Sequence, residues 1–169
     1  MEYLKQMLKV YINNNLVNEY SFNEFIFENS NLDLNPKNGN FIKKESNIQD
    51  FINDYEQYND FQTLLFKLID DRNLKDSEVY NKVHIDRRLF SKIRSDKNYH
   101  PSKETIILLA IALELSEDEL IELLDSASYS LPKNNNYDLI IRFCFINKIF
   151  KLSEINELLN EYKCKLFSY

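Results

Sequence analysis

From Ile106 to Leu115 the chain reads IILLAIALEL, with Ile107, Ala110 and Ile111 on one side of a helical projection and Leu108, Leu109 and Leu113 covering more of the circumference. A helix so apolar on several sides is stable in water only when other elements wrap it. Its neighbours supply the wrapping pattern. Ser102 is placed to cap it, and the preceding Asn98-Tyr99-His100-Pro101 cannot continue an earlier helix, because Pro disfavours α conformation in the residue before it. Ser116-Glu117-Asp118-Glu119 is a capping box of the form S-x-x-E, followed by the apolar stripe Leu120, Ile121, Leu123 and Leu124.

Upstream, a short helix is expected from Asp76 to Val83, with Asp76 and Ser77 as caps and Glu78 in the first turn, where negative charge suits the helix dipole. A tight turn at His84 and Ile85 leads to Asp86, a good N-cap for a helix from Arg87 to Ser95. Ile85, Leu89, Phe90 and Ile93 fall at inward spacing there, leaving Arg87, Arg88, Ser91, Lys92 and Arg94 mostly outward. Charge concentrates in the same place. Between Lys82 and Lys103 seven basic residues stand against two acidic ones, a balance of +5, which leaves −11 for the rest of a chain whose formal net charge is −6. Such asymmetry fits one basic face on an acidic body.

This block resembles the lambda-repressor-like (Cro/xenobiotic-response-element) helix-turn-helix family. The resemblance rests on Val79, Ile85, Phe90-Ser91-Lys92-Ile93, Pro101-Ser102, Thr105-Ile106, Ala110-Ile111-Ala112-Leu113 and Ser116 to Leu120, and with Phe61 to Asn73 as the first helix it covers Phe61 to about Ala127. It implies double-stranded DNA as partner, with Arg87, Arg88 and Lys92 reading base edges in the major groove. Ser91, Arg94, Lys97, Tyr99 and Lys103 would then lie against phosphates or sugars. Three positions depart from the family pattern. Asp76 stands where the family often has a phosphate-touching Gln, Tyr80 where a small residue lets the helices approach, and His84 where the turn Gly sits. A carboxylate at the first position repels the DNA backbone.

The remaining segments read as further helices. Leu4, Met7, Leu8, Tyr11 and Ile12 form an amphipathic stripe ending near Asn13-Asn14-Asn15. Capping boxes at Ser21-Phe22-Asn23-Glu24 and Ser46-Asn47-Ile48-Gln49 predict helices through Phe25-Ile26 and through Phe51-Ile52-Tyr55. Asn29 to Asn40, with the chain's only Gly and Pro36, reads as a loop, and Asn40 to Lys43 as a short extended piece. After a connector from Tyr129 to Asn136, the run Tyr137 to Asn147 is apolar nearly all round. Ser153 is placed to cap a last helix with the stripe Ile155, Leu158, Leu159 and Tyr162. The expected division is 1–58, an N-terminal helical segment; 59–128, the helix-turn-helix domain; and 129–169, a helical hairpin that packs on it or forms a dimer seam. Phe61 onward also resembles a bacterial block at the C-terminal ends of proteins with other N-terminal modules, macro domains among them, which implies an accessory unit.

Catalytic chemistry has little to work with. One Gly excludes a Gly-rich phosphate loop, and His84 and His100 have no paired nucleophile. Cys144 and Cys164 show no CxxC and no nearby His, so no metal or cofactor is expected, only reduced structural thiols. No run of 18 apolar residues could span a membrane, and the start lacks signal-peptide order, so a cytoplasmic place without membrane contact is expected. The reading is an all-α, non-enzymatic DNA-binding transcriptional regulator that reads a palindrome as a homodimer. The alternative is a protein-interaction module of a phage, mobile-element or defence system, contacting its partner through the acidic body or the C-terminal hairpin.

Overall fold

The apolar run seen in the sequence becomes helix α5, Lys103–Ala112, with every residue from Ile106 to Ala112 buried. Ser102 caps it, its hydroxyl accepting from the Thr105 N–H. The computed structural model describes residues 1–16 and 60–168, which hold eight helices and no strand, an all-α fold. Around α5 the others are α1 (Glu2–Asn15), α2 (Phe61–Asp71), α3 (Asp76–Lys82), α4 (Arg87–Ser95), α6 (Glu117–Asp125), α7 (Asn136–Ile146) and α8 (Leu152–Glu161). Both α3 and α6 pack on α5, α2 packs on α6, and α4 on α3. The helices expected through Phe25-Ile26 and Phe51-Tyr55, the loop Asn29 to Asn40 and the extended piece at Asn40 to Lys43 lie outside the described residues.

Helix α7 is the second buried rod. Leu139, Ile140, Ile141, Phe143, Cys144 and Phe145 join one continuous core with α5, while α1, α6 and α8 pack around them. The hairpin therefore closes the core within one chain. Helix α1 does the same work: Leu8 and Ile12 are buried, and Tyr11 meets the Phe143 ring at 5.6 Å. Met1–Leu16 thus joins the same compact unit as the helices from Phe61 onward. Cys144, buried in α7, has its thiol pushed up to about 12 by that burial.

Two expected caps fall elsewhere. Helix α3 starts at Asp76 as expected, but its N-cap is Lys75, whose N–H donates to Glu78 Oε2 at 2.7 Å, so that Asp76 and Ser77 lie in the first turn instead of capping it. Ser153 likewise sits inside α8, which starts at Leu152 without a side-chain cap. The Ser116 capping box is present as expected. Its Glu119 also receives Arg72 Nη2 at 2.7 Å, while Arg72 Nε donates to Leu113 O, tying α2 to the ends of α5 and α6. Burial works to raise the Glu119 carboxyl, but Arg72 and the Ser116 N–H outweigh it and hold it below the ordinary carboxylate value.

Six helices end the same way. Asn73, His84, Glu114, Ser128, Lys148 and Lys163 all adopt positive φ between 52 and 58°. The next residue then folds its N–H back across the last turn, as in Leu74 to Ile69 O, Ile85 to Tyr80 O and Ile149 to Cys144 O. This is the Schellman closure, and the residue that closes it, Leu74, Ile85, Leu115 or Ile149, returns an apolar side chain to the core. Left-handed backbone costs a non-Gly residue roughly 1–2 kcal/mol. Lys148→Gly is therefore expected to stabilise the chain by about 0.5–1 kcal/mol after the added unfolded-state entropy of Gly is subtracted, and Lys148→Ala to give no such gain. Chemical denaturation of the two variants beside the parent checks this.

Candidate nucleic-acid interface

Helix α4 is short, nine residues, and is held from both ends. At its start Asp86 Oδ1 accepts from the backbone N–H of Arg88 at 2.7 Å and of Leu89 at 3.3 Å. At its end Gln62, from the first turn of α2, donates Nε2 to Ile93 O at 2.9 Å and also to Arg94 O. Ile85, Phe90 and Ile93 are buried, Leu89 partly so, and the Phe90 ring lies 5.5 Å from Tyr80 and 6.1 Å from Phe66. Tyr80 thus fits by packing its ring on Phe90, where a small residue would let the backbones close. His84 adopts the left-handed turn at φ 56°.

Arg87, Arg88, Ser91, Lys92, Arg94 and Lys97 are all exposed. They divide into two ridges at helical spacing. Arg87, Ser91 and Arg94 border a groove against α3, lined also by Lys75, Asp76 and Ser77. Arg88 and Lys92 form the other ridge, where Lys92 Nζ stands 4.4 Å over the ring of half-buried Tyr99. Tyr99 therefore positions a cation in addition to presenting its own hydroxyl.

The cations of this segment are unequally committed. Lys82 pairs with Glu114 at 2.5 Å, and Arg94 Nη2 with Asp76 Oδ1, its guanidinium carbon 3.9 Å from the centroid of Phe66. Lys103 Nζ is 2.5 Å from Oδ1 of Asp138, a buried carboxylate whose Oδ2 also accepts from Asn135, so this lysine joins α5 to α7. Lys97 lies near enough to Asp60 to help hold that carboxyl low, after the larger effect of the Thr63 N–H. Among the described residues, Arg87, Arg88 and Lys92 form no ion pair.

The remaining polar groups have structural work. His100 Nε2 donates to Ala127 O at 2.8 Å and its Nδ1 lies 3.4 Å from the Tyr129 hydroxyl, which ties the α4–α5 loop to the end of α6. Among the described residues no group of His, Cys, Asp or Glu is gathered as a metal site, and no helix is long and apolar enough to cross a membrane. Gln62, Phe66 and Asp138 escaped the sequence reading. Each acts across 28 or more positions of chain, for which local spacing carries no signal. No family model, curated protein or solved structure matches this chain.

Removing the Asp86 cap is expected to cost about 1 kcal/mol of stability, with Asp86→Ser retaining most of it. Arg88→Ala, by contrast, changes an exposed side chain and is expected to stay within about 0.5 kcal/mol of the parent. Urea midpoints of the three variants check the assignment of Asp86 to structure and Arg88 to the surface.

Proposed function

We propose that this chain is a sequence-specific DNA-binding transcriptional regulator of the lambda-repressor-like kind, with α4 entering the major groove. The observation that carries the reading is the unpaired trio Arg87, Arg88 and Lys92 on the exposed side of a short helix fixed at both ends, in a segment where Lys82, Arg94 and Lys103 already have carboxylate partners. An exposed cation without a fixed counter-charge gives up only water when it meets an outside acceptor, with no internal ion pair to break. Arg at the start of such a helix suits the O6 and N7 acceptors of guanine, which it meets in bidentate fashion. Lys97 and Ser91 are assigned to phosphates, with Tyr99 holding Lys92 in place. Lys103, bound to Asp138, is left out of that group, and Arg94 reaches phosphate only if it leaves Asp76.

A second reading draws on that same Arg94–Asp76 pair and on the net charge of −6: a protein-interaction module that keeps the fold and has neutralised part of the face. It is separated from the first by direct selection. A random-sequence duplex pool is enriched against the full chain, and the selected duplex is compared with scrambled DNA. Arg88→Ala is expected to reduce the preference for the selected site by about 1–3 kcal/mol, while Lys97→Ala weakens binding to both duplexes alike. Equal, uniform losses from the two substitutions would reject the assigned roles, and failure to enrich any duplex would favour the interaction module.

A further inference from the structure

The groove between α3 and α4, about 350 Å³, collects Lys75, Ser77, Arg87, Ser91 and Arg94 around a single carboxylate, Asp76. Lys75 and Arg94 with the hydroxyls of Ser77 and Ser91, bordered by Arg87, form a donor set suited to the oxygens of a phosphate group. Arg94 is the one of these cations with both a ring and a carboxylate partner. Its guanidinium stacks on Phe66 at 3.9 Å and donates Nη2 to Asp76 Oδ1, and Asp76 itself is half-buried. The negative group that meets Arg94 is thus supplied from within the chain.

We infer that Asp76 is an internal stand-in for phosphate: it occupies Arg94, and the groove admits an external phosphate only when that ion pair opens. The stacked guanidinium is already in place, so exchange needs only the Asp76 carboxylate to turn away. This rests on the DNA reading for the source of the phosphate, a diester of the duplex backbone beside the α4 face, but not for the existence of the site. Asp76 is then the residue that keeps affinity for DNA backbone low, so that discrimination falls to Arg87 and Arg88.

The test uses the full chain as parent, Asp76→Asn, Asp76→Asn/Arg94→Ala, and Asp71→Asn as a control of equal charge change outside the groove. Two probes are used: a random-sequence duplex titrated across a salt series, and inorganic tripolyphosphate followed by thermal shift. Asp76→Asn is expected to bind the duplex about fivefold tighter at low salt, with a log–log salt slope steeper by about 0.9, the value for one more phosphate contact. Tripolyphosphate raises its Tm more than that of the parent, and Arg94→Ala removes both gains. Asp76→Ser gives the same result if Asn disturbs the first turn of α3. Equal behaviour of Asp76→Asn and parent with both probes, or an equal gain from Asp71→Asn, overturns the inference while leaving any duplex binding by the parent intact. A tripolyphosphate gain confined to Asp76→Asn, with no duplex binding by any variant, keeps the site, assigns it to free phosphate and rejects the DNA reading.

Discussion

Everything in this molecule depends on burying a helix that has no polar side. The interior positions of α5 offer nothing to water, so α3 and α6 lie on it directly and α2 and α4 follow through their contacts with those helices. Burial of each Leu or Ile side chain contributes roughly 1.5–3 kcal/mol. That driving force also decides where polar groups go. A lysine at the start of α5 reaches the buried Asp138, and an arginine at the end of α2 reaches the carbonyl that closes α5, so both ends of the central rod are tied to other helices through charged groups.

The same packing sets the character of the exposed helix α4. Its inner side is consumed by Phe90 and Ile93, and its ends by Asp86 and Gln62, which leaves it little freedom to adjust. A rigid presentation lowers the entropy lost on binding a partner. Within a chain of acidic balance, ion pairing has absorbed several of the neighbouring cations, and Arg87, Arg88 and Lys92 on the exposed side of α4 are left, among the described residues, without a carboxylate partner. Net charge alone would argue against DNA; the local distribution argues for it.

Much of this was legible in the sequence because the signals are local. The boundaries of α4 and α6 follow from Asp86 and from the Ser116 box, and the inward residues of both follow from helical spacing. At the N-caps Lys75 and Lys151 the legibility failed for a physical reason: neither side chain accepts a cap hydrogen bond, so cap chemistry pointed one or two residues downstream. The left-handed helix ends were obscured because residues as unlike as Glu114, Ser128 and Lys148 occupy positions where Gly is the usual marker. In the candidate site, exposure of Arg87, Arg88 and Lys92 was readable from periodicity. The commitment of Arg94 to Asp76 and of Lys103 to Asp138 was not, since it is fixed by tertiary approach across 18 and 35 positions.

The central claim is that the outward side of α4 meets duplex DNA, and the most direct measurement is amide chemical-shift mapping of the full chain titrated with a random-sequence duplex at low salt. Shifts concentrated on Arg87 to Lys97, shrinking together as salt is raised, are the expected result. An unchanged spectrum, or shifts gathered on the α7–α8 hairpin with α4 silent, would contradict it.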